Sequence, residues 1–218
     1  MNSIRGVLFD LDGTLLDTVP DLAYALNQIR IAESLPELPL EKIRPIANFG
    51  SKAMLKMAFG MEECDPRFKP MREQFLNLYE KHLADSTTFF PDVENVLAYL
   101  EKNVIPWGIV TNKLKRHALP LLKALSLEHR PACIICGDSL AAAKPDPLPI
   151  RYACEQLKQQ PGNCLYVGDA MTDVIASKAA GTKSLVALYG YIQANDDPLL
   201  WQADGYIHKL GELIDWLS

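Results

Sequence analysis

The chain has 218 residues, of which 49% are hydrophobic and 22% charged, with a formal net charge of −5. This length and balance fit one globular core with room for an inserted subdomain, and they exclude a disordered or fibrous chain. No basic stripe marks a nucleic-acid binder, and no apolar run approaches the ~18 residues of a membrane span, so neither nucleic acid nor a membrane is an expected partner.

The chain opens MNSIRGVLFDLDG, where charges at Arg5, Asp10 and Asp12 leave no long apolar leader. Five cysteines form no framework spacing, which points to reduced thiols and a cytoplasmic protein. Cys133 and Cys136 form a CxxC, but an apolar strand through them sends the two side chains to opposite faces, and no second pair completes a zinc site.

In chain order, Gly6 to Phe9 is a short β run ending at Asp10. A long helical stretch follows. Leu22, Leu26 and Ile29 make one apolar stripe, and Phe68, Met71, Phe75, Leu78 and Leu83 make another. Further β runs are Ile105 to Val110, ending at Thr111; Ala132 to Cys136, closed by Gly137-Asp138; Cys164 to Val167, ending at Gly168-Asp169; and Lys183 to Leu188. Helices are expected over Asp92 to Lys102 and over Thr172 to Ala180, the latter stopped by Gly181. Strand–helix alternation of this kind predicts an α/β fold with a Rossmann-like parallel sheet. The gap between the first two runs far exceeds a simple crossover. We therefore expect a core of residues 1–16 and 89–218 and an inserted α-helical cap over 17–88, with hinge-like chemistry at Asp17-Thr18-Val19-Pro20 and Phe89-Phe90-Pro91-Asp92.

The polar residues of interest fall where the apolar runs end, which is where ligands sit in open α/β sheets. Asp10 and Asp12 flank one apolar residue. In extended geometry they share a face, and like charges about 4 Å apart cost roughly 4 kcal/mol at an effective dielectric of about 20. Such a pair, facing an anionic substrate, calls for a hard cation, and oxygen-only ligands point to Mg2+. A surface turn with two solvated aspartates is the other reading. Thr111 and Asn112 offer a hydroxyl and an amide to phosphate oxygens, or alternatively cap a helix starting near Lys113. Lys144, in a loop stiffened by Pro145 and Pro147, supplies either a fixed counter-charge or an exposed surface cation. Asp169 and Asp173 place two more carboxylates at the mouth of the fourth run, where helix capping is their alternative role.

The segments LFDLDGT, VTN, KPDPLP and VGDAMTD, in this order, resemble the four motifs of the haloacid dehalogenase superfamily, and the region between the first two resembles its helical cap of the first type. The resemblance implies that Asp10 is the nucleophile, and that Asp12 is the general acid and then the base. Asp10, the backbone carbonyl of Asp12 and Asp169 are implied as metal ligands, and Asp173 as the residue holding the metal's water shell. Thr111 and Lys144 are implied as the grip on the phosphoryl group. A second aspartate at position 12 points to phosphatases and phosphomutases within the superfamily.

The expected substrate is a small-molecule phosphate ester. In the cap, Gly50, Ser51 and Lys52 form either a specificity loop or an ordinary helix–helix turn with Ser51 as N-cap. Arg44 and Lys52 are either partners for a second anionic group or solvated surface charges. The pattern around Leu16-Asp17-Thr18 resembles phosphoglycolate phosphatases, and the stretch from Tyr189 to Asp204 also resembles N-acetylmuramic acid 6-phosphate phosphatases. A β-phosphoglucomutase-type mutase and a non-catalytic phosphometabolite-binding protein are the alternatives. His82, His117, His129 and His208 are expected in surface or packing roles. Monomer and homodimer are both compatible with the sequence.

Overall fold

The computed structural model describes residues 4–217. In chain order the elements are β1 (Gly6–Phe9), β2 (Leu16–Asp17), α1 (Val19–Ala32), α2 (Leu40–Ile43), α3 (Gly50–Phe59), α4 (Phe68–Lys81) and β3 (Thr88–Phe89). They continue as α5 (Val93–Lys102), β4 (Trp107–Val110), α6 (Lys115–Ala124), β5 (Cys133–Ile135), α7 (Leu148–Gln156), β6 (Cys164–Gly168), α8 (Met171–Ala180), β7 (Lys183–Ala187) and β8 (Gly205–Ile207). The chain divides into two compact units, one running up to Leu16 and resuming at Phe89, the other spanning Asp17–Thr88.

The first unit is built on a six-stranded sheet in the order β5-β4-β1-β6-β7-β8, with every neighbouring pair parallel. Parallel strands are covered on both faces, so they read as continuous apolar runs rather than alternating ones. β1, β4 and β6 are buried along their whole length. α5 turns Val93, Val96, Leu97 and Leu100 to the core, as its 3.6-residue spacing dictates. α8 stops where Gly181 takes a left-handed conformation (φ +87°). The chain builds outward from β1 through β4 to β5, then returns to β1's other side with β6, β7 and β8. The strand order therefore reverses at β1, the place where an open α/β sheet forms a ligand crevice. β8, only three residues long and opening on Gly205, is a sixth strand that apolar runs alone do not announce.

In the second unit α1 packs against α3 and α4. The buried guanidinium of Arg30 on α1 donates from Nε to Pro36 O (2.7 Å) and from Nη1 to Ala58 O, holding the chain after α1 and the end of α3. α4 buries Phe68, Met71, Phe75, Leu76 and Tyr79 and ends at Lys81. The expected stripe through Leu78 and Leu83 is thus displaced toward Leu76 and Tyr79, and Leu83 lies beyond the helix. Both ends of the unit are tied. Asp21 accepts from Ser86 N (2.7 Å), Thr87 N (2.9 Å) and Thr87 Oγ1 (2.6 Å), and Arg44 forms a two-pronged pair with Asp17 (2.9 and 2.8 Å).

All five cysteines are free. Burial pushes the thiols of Cys133 and Cys136 up to about 11. Among the described residues, no helix is long and apolar enough to cross a membrane.

Candidate active site

Sheet register assembles the site. Phe9 at the end of β1 is level with Ile109 of β4 and with Val167 of β6. One step further along each strand therefore brings Asp10 between the Val110-Thr111 and Gly168-Asp169 ends. The Asp10 amide donates to Val167 O, and the Thr111 amide to Ile135 O, both at 2.9 Å. Asp10, Asp169 and Asp173 are buried, and each offers a carboxylate oxygen within 4.8 Å of the others.

Lys144 reaches into this group from the loop before α7, with a side chain only 2% exposed. Its Nζ stands 2.9 Å from Asp10 Oδ1 and 2.7 Å from Asp173 Oδ1. It donates hydrogen bonds to Val110 O (2.8 Å) and Tyr166 Oη (2.7 Å). Burial alone would lower this ammonium, but Asp10 and Asp173 override it and hold its titration above the ordinary lysine range. The loop is fixed from the neighbouring strand end. Asn112 donates from Nδ2 to Lys144 O (2.9 Å) and accepts the Lys144 amide at Oδ1 (3.0 Å). Asn112, expected on phosphate, is thus engaged by the main chain of Lys144. The Thr111 hydroxyl accepts from Lys113 N (3.1 Å), and α6 begins two residues later, at Lys115.

Asp169 is completely buried, accepting from the Thr14 hydroxyl (3.1 Å) and the Tyr191 amide (2.7 Å). The turn after Asp12 has to pass close over it. Gly13 sits at φ +81°, and a Cβ there would fall 2.1 Å from Asp169 Oδ2. Asp173 uses its two oxygens differently: Oδ2 accepts the Ala170 amide at the start of α8 (3.0 Å), and Oδ1 faces Lys144. Capping and site chemistry coexist in this one side chain. Asp12 pairs through Oδ1 with Lys113 Nζ at 2.9 Å.

The donor set suits a hard divalent cation. Three buried carboxylates converge, all candidate ligands are oxygens, and the contact of Asp10 Oδ1 with Lys144 Nζ at 2.9 Å is an ion pair. Burial pushes the Asp10 carboxyl from its ordinary 3.8 up to about 6, against the pull of Lys144, with Asp173 and Asp12 adding to the rise. A carboxylate in that condition gains from more positive charge. Asp10 and Asp169, with Asp173 beside them, are the groups that would hold Mg2+.

The residues singled out in the inserted unit make these contacts within that unit. Gly50 opens α3 at φ +74°, directly after a 3-10 turn over Arg44–Phe49. Ser51 is not the N-cap, because the helix starts one residue earlier. Its hydroxyl instead accepts from Arg72 Nε (2.8 Å). Lys52 pairs with Glu63 (2.6 Å), and Arg44 is held by Asp17. His82 pairs with Asp85 and meets the edge of Tyr24, His117 packs in α6, and His129 and His208 are exposed. Thr14, Lys113, Tyr166 and Tyr191 are site residues to which the sequence reading gave no role in the site. Thr14 within LFDLDGT, Lys113 beside Thr111-Asn112 and Tyr191 in the stretch from Tyr189 to Asp204 carried sequence signals that could have drawn attention to them.

A parallel α/β sheet carries buried carboxylates and a lysine at its switch point, and those carboxylates could hold a metal ion. The chain belongs to the haloacid dehalogenase-like hydrolases, whose family model matches residues 7–187. It is 38% identical over 215 residues to an N-acetylmuramic acid 6-phosphate phosphatase of Pseudomonas aeruginosa, covering 99% of this chain and 95% of that one. It is 41% identical over 209 residues to a phosphoglycolate phosphatase of Xanthomonas campestris, covering 96% and 94%. The crystal structure of a predicted phosphoglycolate phosphatase from Haemophilus somnus matches over 100% of both chains, with TM-score 0.88 and 27% identity.

Proposed function

We propose that this protein is a magnesium-dependent phosphatase that hydrolyses a small phosphate monoester through an aspartyl-phosphate on Asp10. One observation carries the reading. At the head of the central strand, a buried carboxylate oxygen of Asp10 stands 2.9 Å from a buried ammonium as its ion-pair partner. An oxygen so placed is oriented by the ammonium beside it, and a carboxylate held in this way is the kind of group that serves as a covalent nucleophile.

In this scheme Asp10 attacks phosphorus and the ester P–O bond breaks. Asp12 gives its proton to the leaving oxygen. Asp12 then takes a proton from water as the water oxygen bonds to phosphorus and the Asp10 O–P bond breaks, releasing phosphate. Acid–base help of this kind contributes about 10²–10⁴-fold. Lys113, 2.9 Å from Asp12 Oδ1, holds that carboxylate in place between the two steps. Thr111 and Lys144 grip the phosphoryl oxygens, and Lys144 offsets the charge gathering there. Asp10, Asp169 and the Asp12 carbonyl, with Asp173 nearby, would hold Mg2+, which when bound would supply the charge neutralisation that lets a phosphate dianion approach a carboxylate.

For the substrate we favour 2-phosphoglycolate, supported by the 41% identity to the Xanthomonas phosphatase. N-acetylmuramic acid 6-phosphate is the second reading, favoured by the match to the Pseudomonas phosphatase over 99% of the chain. Both esters carry a carboxylate besides the phosphate. The test is phosphate release from the two esters side by side with Mg2+, with Asp10→Asn as control. A large preference for one ester that is absent in the control supports the mechanism and selects the substrate. Release from neither, together with tight binding of phosphate esters, would overturn the phosphatase reading in favour of a non-catalytic binder. Conversion of a sugar phosphate without free phosphate would favour a mutase.

A further inference from the structure

We infer that Tyr166 is a positioning residue for Lys144, its hydroxyl fixing the direction of the ammonium so that one N–H is kept for the transferring phosphoryl group. The inference rests on the role proposed above for Lys144.

A lysine ammonium has three N–H donors and no acceptor. Two of those of Lys144 are committed to the protein, at 2.8 Å to Val110 O and 2.7 Å to Tyr166 Oη. The Tyr166 hydroxyl lies 2.8 Å from the same Val110 oxygen and 3.2 Å from Asp173 Oδ1. Nitrogen, hydroxyl and carbonyl therefore close a triangle. Val110 is the last residue of β4 and precedes Thr111, so the triangle ties the lysine to the strand end that carries the other phosphoryl grip. With two N–H groups fixed, the third is left on the side of Asp10 and Asp173, both of which stand at ion-pair distance.

The hydroxyl is what sets this direction. The ring of Tyr166 is fully enclosed, packing in the core with Leu8, Val110 and Ile135, and would pack similarly as phenylalanine. Without the oxygen, one of the two fixed N–H groups loses its acceptor. The ammonium is then drawn toward its nearer carboxylate, Asp173 at 2.7 Å, rather than Asp10 at 2.9 Å. The positive charge stays in the site but no longer points at the reacting atoms. Misplacements of this order cost catalysis far more than they cost binding.

The experiment compares Tyr166→Phe with the wild type, both loaded with Mg2+, by two readouts. The first is steady-state hydrolysis of p-nitrophenyl phosphate. We expect kcat to fall about 10–100-fold, with KM changed by less than about threefold. The second is the ¹H–¹⁵N resonance of the Lys144 NH3+ group, assigned by its disappearance in Lys144→Arg, which keeps the charge. We expect it to be resolved in the wild type and shifted or broadened in Tyr166→Phe. A kcat within about twofold of wild type, or an unchanged ammonium resonance, overturns the inference and leaves Tyr166 a packing residue. If the wild type itself turns over no ester, that result counts against the phosphatase reading, and the ammonium resonance alone decides for or against Tyr166.

Discussion

Replacing Lys144 by methionine keeps side-chain length and removes the charge. The lysine is 2% exposed and stands within 2.9 Å of Asp10 and 2.7 Å of Asp173. Taking away one partner of a buried ion pair leaves uncompensated charge and costs roughly 3–5 kcal/mol. In a chain of this size each kcal/mol moves the melting temperature by about 2–4 °C, so the metal-free variant should melt roughly 6–20 °C lower at neutral to alkaline pH. The deficit should depend on pH. Burial already pushes Asp10 up to about 6 against the pull of Lys144, and without that pull it goes higher. A carboxyl raised in the folded state takes up a proton on folding. Its favourable contribution is full below the unfolded value and is lost as pH rises through the folded one. The deficit of Lys144→Met is therefore largest near about pH 8 and shrinks toward about pH 5. Calorimetric melting of both proteins in EDTA at the two pH values reads this directly. A melting point within about 2 °C of wild type at the higher pH, or a deficit that does not shrink at the lower one, would refute the account of this charge cluster.

Asp10→Asn should abolish phosphate release while leaving the metal-free melting temperature equal or higher, because it removes one of three converging buried carboxylates while Lys144 keeps Asp173 at 2.7 Å; substantial residual turnover would remove Asp10 from the covalent role. EDTA should silence hydrolysis and Mg2+ restore it, and turnover that persists in chelator would contradict the metal site. Gly190→Ala places a Cβ 2.3 Å from the Cβ of Asp169. Such overpacking should cost about 1–3 kcal/mol and raise the Mg2+ concentration needed for half-maximal activity; unchanged melting and Mg2+ dependence would show the backbone there to be freely adjustable. In native protein a thiol reagent near about pH 8 should modify the exposed Cys64 first, since Cys133 and Cys136, pushed up to about 11, hold only about a thousandth of their sulfur as thiolate there. Rapid modification of more than one thiol would contradict that order.

The parts of the fold legible in the sequence are those for which burial leaves a one-dimensional trace. Central parallel strands are covered on both faces, so GVLF, WGIV and CLYVG stand out as unbroken apolar runs. Their ends locate Asp10, Thr111 and Asp169 without knowledge of register. The trace fades at the edges. β4 starts at Trp107 rather than Ile105, because Pro106 cannot donate to the ladder and contributes only its carbonyl, to Val7 N. β8 is too short and glycine-led to show. Contacts made through register leave no local trace at all: Thr14 and Tyr191 meet at Asp169 across 155 and 22 residues of chain, and Lys113 meets Asp12 across 101. Asn112 illustrates the converse. Its position after β4 suggested phosphate, but the adjacent loop needed its two main-chain groups satisfied, and the amide met that need first.

The charges on these residues bear on the proposed metal, because an exchangeable ion would suit the site better than another side chain. Asp10, Asp12, Asp169 and Asp173 face Lys113 and Lys144, a formal excess of two negative charges in largely buried surroundings. Like charges within 4.8 Å repel by roughly 3–4 kcal/mol at an effective dielectric of about 20. Burial, with Asp173 and Asp12 adding to it, raises the proton affinity of Asp10, the proposed nucleophile, in the metal-free protein. A third lysine would offset the charge, but lysine brings only hydrogen-bond donors, and each carboxylate oxygen it engaged would lose a lone pair. A hard cation would neutralise Asp10 and Asp169 and would still accept water and phosphate oxygens as ligands. Under the proposed function, the same excess of negative charge that weakens the metal-free site would favour a divalent ion and would couple the ionisation of Asp10 to that ion's arrival.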